Sequence, residues 1–171
     1  MKLPIKTMTK TVLIASLYIV ITLLCYPFAY GAIQFRLSEV MVLLALIDPL
    51  YIPGLLLGCF VSNMLGIGGL VDAVFGTLAS AVSLAGVYYS GKWIKNRTLG
   101  LVVASLWPSV SSFIIAFEMT FILQDSQSFL FWTVMVAIGE FCVVTILGVP
   151  LMHFVLSKPH LVTLLKKIRE T

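Results

Sequence analysis

Apolar residues run along this chain in long blocks, broken by short polar or proline-containing joints. Six blocks stand out, at residues 8–26, 35–48, 51–66, 72–92, 99–123 and 129–156. A helix needs roughly 20 apolar residues to cross the hydrocarbon of a bilayer. The last three blocks reach that length; the second and third are short and are parted by Pro49 and Pro53. None alternates with the period of two that marks a strand. Backbone groups in lipid must also be hydrogen-bonded internally, so each block predicts a helix. The pattern predicts an all-α membrane protein of six transmembrane helices in one integral domain, with residues 158–171 as a basic tail.

Composition supports this and excludes a soluble domain. Of the 171 residues, 60% are hydrophobic and 11% charged, against about 45–50% and 25% in soluble proteins. The mean hydropathy is +1.10. The net charge of +4 is no nucleic-acid signal, because the basic residues sit at block ends rather than in one patch. Six spans put both termini on one side, together with Lys92, Lys95 and Arg97 of the fourth joint. Of the 11 Lys and Arg residues, only Arg36 then falls on the other side. The positive-inside rule places both termini in the cytoplasm of a multi-pass bacterial membrane protein. Merging blocks two and three would put one basic cluster outside. Lys2, Lys6 and Lys10 ahead of residues 12–24, with Ala29–Gly31 as a small-x-small site, have the form of a signal peptide. Its removal would leave an odd number of spans, against the charge pattern. In the tail, Leu161, Leu164, Leu165 and Ile168 form the stripe of a short amphipathic helix on the inner leaflet, with a frayed basic tail as the alternative.

Polar residues gather near the outer joints: Gln34, Arg36, Glu39, Asn63, Asp72 and Asp125. Trp107, Ser112, Glu118 and Glu140 lie deeper. A carboxylate at the bilayer centre costs about 2.5–3.5 kcal/mol on insertion scales, so such groups face a bundle interior or a wet cavity and point to function. Structural roles compete. Arg36 and Glu39 can pair as i and i+3. Asp72 can N-cap the fourth helix after the Gly-Gly turn. Asp48 suits a turn before Pro49, and His153 suits the inner interface. Small residues recur every four positions at Thr11/Ala15, at Gly54/Gly58/Ser62 and at Ala73/Thr77/Ala81/Ala85, with Gly76, Ser80 and Ser83 close by. Such stripes let helices approach closely in lipid, within the chain or with a partner.

Other patterns carry no chemistry. GVYYSGKW at 86–93 has the frame of a phosphate loop, but Trp93 replaces the hydroxyl residue and no strand precedes it. NRT at 96–98 lies in a cytoplasmic joint. Cys25, Cys59 and Cys142 have neither disulfide nor zinc spacing. With no nucleophile or metal cluster, the sequence predicts neither an enzyme nor a resident cofactor or metal.

QFRLSEV at 34–40, PGLLLGCFVSNMLGIGGLVDAVFGTLAS at 53–80, WPS at 107–109 and IGEFCVVTILGVPL at 138–151 resemble the QueT family. These are the substrate-binding S components of energy-coupling-factor (ECF) transporters for queuosine precursors. The resemblance covers nearly the whole chain. It implies a six-helix S component that binds a 7-deazaguanine ligand from outside, under the first joint. It also implies docking on a transmembrane coupling subunit driven by two cytoplasmic ATPases. Segments one to three would form the docking face, which suits Thr11, Ala15, Gly54, Gly58 and Ser62. Ser112 stands where the family pattern has an Asn, and loss of an amide there would change which ligand edge is read.

A guanine-like edge offers two donors side by side, which one carboxylate accepts together. Glu140 or Glu118 suits that role. Asn63 or Arg36 would serve O6, and Trp107 would stack on the ring. Glu39 or Asp72 would meet an aminomethyl cation. The rival is a solitary secondary transporter coupled to protons through Glu118 or Glu140, which the absence of evident inverted repeats disfavours. A membrane enzyme and a purely structural subunit are weaker rivals.

The charge asymmetry makes a topological prediction. Single cysteines placed at residue 95 and in the tail of a cysteine-free chain should react with an impermeant maleimide only after the cells are opened. One placed at residue 126 should react in intact cells. Labelling of residue 95 from outside would reverse the orientation.

Overall fold

The structure, a computed structural model, describes residues 5–31 and 33–167. All elements among them are helical. Helix α1 (Ile5–Leu24) is followed by the single turn α2 (Tyr26–Ala29), a 3-10 helix (Leu37–Leu46) and a 3-10 turn (Pro49–Tyr51) that leads into α3 (Ile52–Met64). Helix α4 (Gly69–Trp93) stands alone. Helices α5 (Arg97–Ser105) and α6 (Trp107–Phe117), with a π-helical turn (Glu118–Ile122), make one rod. The next rod is α7 (Phe129–Glu140), a π-helical stretch (Phe141–Gly148) and α8 (Val149–Ser157), and α9 (Pro159–Lys167) closes the chain. Each apolar block of the sequence coincides with one of these segments. Gly69–Trp93, Arg97–Ile122 and Phe129–Ser157 are long and apolar enough to cross a membrane. Met8–Leu24, Leu37–Leu46 and Pro49–Met64 are shorter apolar helices. Lys2 and Arg169 of the basic clusters, and Ile168 of the tail stripe, lie outside the described residues.

Local chemistry explains the joints. Asp48 caps the turn before α3, its Oδ1 accepting from Leu50 N at 3.0 Å with Pro49 following, as a turn residue before proline should. Asn96 and Ser128 cap α5 and α7 through Leu99 N (3.0 Å) and Phe131 N (3.2 Å). Gly69 takes φ +59° at the turn into α4, a conformation that costs glycine little. The expected N-cap at Asp72 is displaced. Helix α4 begins three residues earlier, and Asp72 reaches back from its first turn to accept from Gly68 N at 3.1 Å. Residues 86–93 continue α4 without a loop, so no phosphate cradle exists there.

The 3-10 helix is the axis of the bundle. It touches α1, α3, α4, α5 and the 141–148 stretch, and most of its side chains are buried, Val42 and Leu43 completely. A helix apolar all round belongs in such a centre. Its geometry also lengthens it: at about 2.0 Å per residue a 3-10 helix rises a third further than an α-helix. Ten residues therefore reach as far as 13 would in α form. Around it, Val12, Leu13, Leu17, Val20 and Leu24 of α1 point outward, a face that lipid would cover.

Small residues are used where rods touch. A Cβ on Gly54 would stand 2.8 Å from Thr11 O, and one on Gly58 would stand 2.7 Å from Tyr18 Cβ and 3.1 Å from Ala15 O. The Thr11/Ala15 and Gly54/Gly58 stripes thus face each other within the chain. On α4 the strict four-residue stripe does not persist, since Ala85 is exposed while Gly76, Ser80, Ser83 and Gly86 are buried. Four residues advance about 40° beyond a full turn, so a contact face must mix steps of three and four. A Cβ on Gly86 would collide with the Trp107 indole of α6. At the far end, Tyr51 Oη donates to Leu165 O at 2.9 Å and Leu165 packs on the core, which docks α9 on the bundle.

Gly58→Leu should lower stability by about 2 kcal/mol through overpacking, read as an earlier thermal transition in detergent. An unchanged transition would show that α1 and α3 can separate freely.

Candidate functional site

At one end of the bundle Tyr30, Gln34, Ile67, Gly68 and Leu123 gather, and below them lies a polar cavity. Gln34, Arg36 and Glu39 enter it from the start of the 3-10 helix. Gly76, Ser80 and Ser83 come from α4, Ser111 and Ser112 from α6, and Glu140 from α7. Every polar member is buried. The room inside is about 20 Å³ for water centres, enough for a water or two. A planar ligand therefore requires the walls to part.

Arg36 is the cation of this cavity. Its Nε donates to Ala29 O at 3.2 Å, and its guanidinium lies over the Tyr30 ring, 5.4 Å from the centroid. Its field reaches Glu39, Glu140 and Glu118. Glu39 accepts the Tyr18 hydroxyl of α1, while Thr22 and Ser38 share a hydrogen bond of 2.7 Å one turn away. The expected i to i+3 pair does not close as a direct contact: Arg36 donates to Ala29 O and Glu39 accepts from Tyr18 of α1, so Arg36 acts on Glu39 only through its field. Glu140 Oε2 is buried with no hydrogen-bond partner. Such an atom carries a desolvation cost of about 1–3 kcal/mol, which a donor entering the cavity would relieve.

The serine wall is ordered by the chain itself. Ser83 and Ser111 share a hydrogen bond of 2.8 Å, Ser111 donates to Pro108 O at 2.9 Å, and Ser112 donates to Thr133 O at 3.2 Å. Pro108 cannot continue the α-helical ladder, and α5 and α6 part at Leu106. The two deep carboxylates both sit at irregular backbone. Glu118 opens one π-helical segment and Glu140 immediately precedes the other. π-Helical turns recur at functional sites because the extra residue re-aims the side chains around it.

The cavity is sealed by close approach. A Cβ on Gly139 would stand 2.7 Å from Gln34 O and 3.2 Å from Gln34 N, so the first joint lies directly on α7 beside Glu140. Tyr30 fastens the same joint to α3. It donates to Ser62 O and covers Gly66, and burial raises its phenol above the ordinary value, which keeps the donor proton in place. Gln34 also lines a second cavity of about 130 Å³ nearer the bundle end, with Tyr30, Gly68, Asp72 and Met119.

Of the sequence candidates, Arg36, Glu39, Ser112 and Glu140 line the inner cavity and Asp72 lines the outer one. Glu118 lies against Asp72. Asn63 is buried behind Gly76, its Nδ2 donating to Cys59 Sγ at 3.3 Å and its Oδ1 unpartnered. Trp107 is not brought to the cavity. Its indole packs on Gly86 and donates to Ser90 Oγ at 2.9 Å, because α4 has a glycine at that height. Sequence reasoning passed over Tyr18, Ser111 and Gly139; the only available signal was the Gly139-Glu140 pair at mid-helix. No group of three or more metal-ligating side chains occurs among the described residues.

An all-helical apolar bundle enclosing a charged, donor- and acceptor-lined cavity defines a membrane protein that handles a small polar molecule. Comparison with known proteins narrows the class. The chain belongs to the QueT transporter family, whose profile matches residues 8–157. It is also 30% identical over 138 residues to a queuosine precursor transporter, QueT, of Lactococcus lactis subsp. cremoris (strain MG1363), a match covering 75% of this chain and 80% of the relative. Family and relative are transporters rather than enzymes. No solved structure matches the chain.

Gly139→Ala should force the Gln34 backbone away from α7. We expect a loss of about 1–2 kcal/mol of stability from overpacking and faster labelling of a cysteine at residue 112, read by thiol kinetics. Labelling as slow as with Gly139 present would mean that the seal does not depend on this contact.

Proposed function

We propose that this chain is the substrate-binding S component of an ECF-type importer, taking up a queuosine precursor of the 7-deazaguanine type from outside the cell. It crosses the membrane six times with both termini in the cytoplasm. It hands its ligand inward after docking on a transmembrane coupling subunit powered by two ATPases. The observation that carries the ligand class is the pairing, in one buried cavity, of an acceptor without a partner, Glu140 Oε2, with a fixed cation, Arg36. The adjacent N1–H and N2–H₂ donors of a guanine-like edge suit a carboxylate accepting both, and the O6 acceptor suits a guanidinium. Ser111 and Ser112 add adaptable hydroxyls on the opposite wall. An analogue without that edge would leave the buried groups unpaired and be rejected.

Loading requires movement. Gln34 and Tyr30 cover the cavity, so the first joint must lift for the ligand to enter and close again behind it. That joint runs directly into the central 3-10 helix, and Tyr18 ties this helix to α1. Ligand occupancy is thereby felt on α1, where a coupling subunit would read it. The facing of Thr11 and Ala15 against Gly54 and Gly58 leaves the outward rim of α1 and α3, rather than the small residues alone, as the docking surface.

Isothermal calorimetry on the purified subunit tests the ligand class. A 7-deazaguanine should bind, and Glu140→Gln should weaken it about 10- to 100-fold while the protein still elutes as a folded species. Unchanged binding in that variant removes Glu140 from the site. No binding of any 7-deazaguanine to the wild-type chain overturns the ligand class.

A further inference from the structure

The end of the bundle opposite the polar cavity holds two adjoining cavities of its own, of about 390 Å³ and about 180 Å³. Arg97, Leu101 and Leu156 line both. In the larger one every side chain except Arg97 is hydrocarbon. Leu46 and Ile47 come from the end of the 3-10 helix, Ile94 from the end of α4, and Val162 from α9. Gly91 and Gly100 complete the wall. The smaller cavity adds two polar side chains of α8, His153 and Ser157. A space walled by hydrocarbon thus adjoins a space beside a cation, a shape that matches an amphiphile.

Charge and depth identify the amphiphile. Among the described residues no carboxylate pairs with Arg97. Asp48, the acidic residue next to this end, is buried and accepts from Leu50 N. Tyr89 and Trp93, which flank Gly91 in sequence, stack with ring centroids 5.0 Å apart and are exposed, as aromatic residues are at a membrane interface. The cavities therefore open at head-group depth. Basic pockets between helix ends at that depth hold anionic head groups. We propose that this end binds an anionic phospholipid, with its phosphate on Arg97 and His153 and one acyl chain in the larger cavity. The guanidinium accepts a phosphate through paired N–H donors, and the imidazole offers a donor in either neutral tautomer. A zwitterionic lipid brings its own cation to the phosphate and gains less from Arg97. The proposed orientation decides only the leaflet, which is the inner one; the ligand of the polar cavity plays no part.

Native mass spectrometry of the intact chain in detergent tests this, with palmitoyl-oleoyl phosphatidylglycerol and the matching phosphatidylcholine as probes. Phosphatidylglycerol should bind the wild type about fivefold more tightly, the factor that one cation near a membrane surface supplies. Arg97→Gln should bring the two lipids to the same affinity. Lys92→Gln removes an equal charge from the same end but lines neither cavity, and should leave the preference intact. Gly100→Leu, whose Cβ comes no closer than 3.4 Å to Ile94 O, should fill the larger cavity and weaken both lipids on the order of tenfold. Glycerol phosphate, a head group without chains, should not displace the lipid at equal concentration. Equal binding of the two lipids to the wild type would overturn the proposal. So would equal loss of preference in Arg97→Gln and Lys92→Gln, which would mark a diffuse basic surface. Displacement by glycerol phosphate, or full lipid binding by Gly100→Leu, would remove the acyl chain from the site and overturn it as a lipid site. Both faces are accessible in detergent, so each of these outcomes is independent of the orientation and of the deazaguanine reading.

Discussion

One guanidinium in a poorly polarisable interior organises the functional end of this bundle. Arg36 is 6% exposed and acts on Glu39, Glu140 and Glu118, which come from three different segments. Burying a charge is tolerable only with compensating charge and hydrogen bonds around it. The carboxylates alone would repel; the cation alone would be stranded. Arg36, Glu39 and Glu140 bring the start of the 3-10 helix and the end of α7 around one small polar volume. The Tyr18 bond to Glu39 extends this cluster to α1. The members are coupled through the field of Arg36 rather than through separate ion pairs.

Irregular helix geometry lets so short a chain build that cluster. The central segment is 3-10 over ten residues, longer than such runs usually persist, and the extra rise carries a short apolar block further through the bundle. The two π-helical segments coincide with Glu118 and Glu140. In the second, Pro150 follows just after the stretch and removes one N–H from the ladder. Around these segments the rods approach closely where one of them carries a glycine, at Gly54, Gly58, Gly86 and Gly139.

Closure and chemistry are coupled by position. The residue that abuts the first joint, Gly139, immediately precedes the carboxylate Glu140, and the joint itself carries Gln34 and Arg36. A ligand that draws on Glu140 and Arg36 therefore acts on the two surfaces that seal it. The inner cavity holds little more than water, so these surfaces separate whenever a ring enters. Tyr30, bonded to Ser62 O and packed on Gly66, sets how much of the joint can move.

The sequence by itself determined the class: apolar blocks long enough to be helices, too few charges for a water-facing surface, and a lone cation at the sparsely basic end. It also marked Arg36, Glu39, Ser112 and Glu140, because polar groups are costly in such blocks and stand out. Periodicity could not tell which face of α4 packs, since a four-residue stripe drifts around the helix and the mixed Gly76–Ser80–Ser83–Gly86 face wins. Nor could it place Trp107, whose indole follows a gap on another rod, or foresee that Asp72 and Glu118, 46 residues apart, come together. Only the tertiary structure decided those, because local backbone register and the heights at which rods meet depend on contacts between distant segments. A one-dimensional pattern reports how costly a residue is to bury, but not what it is buried against.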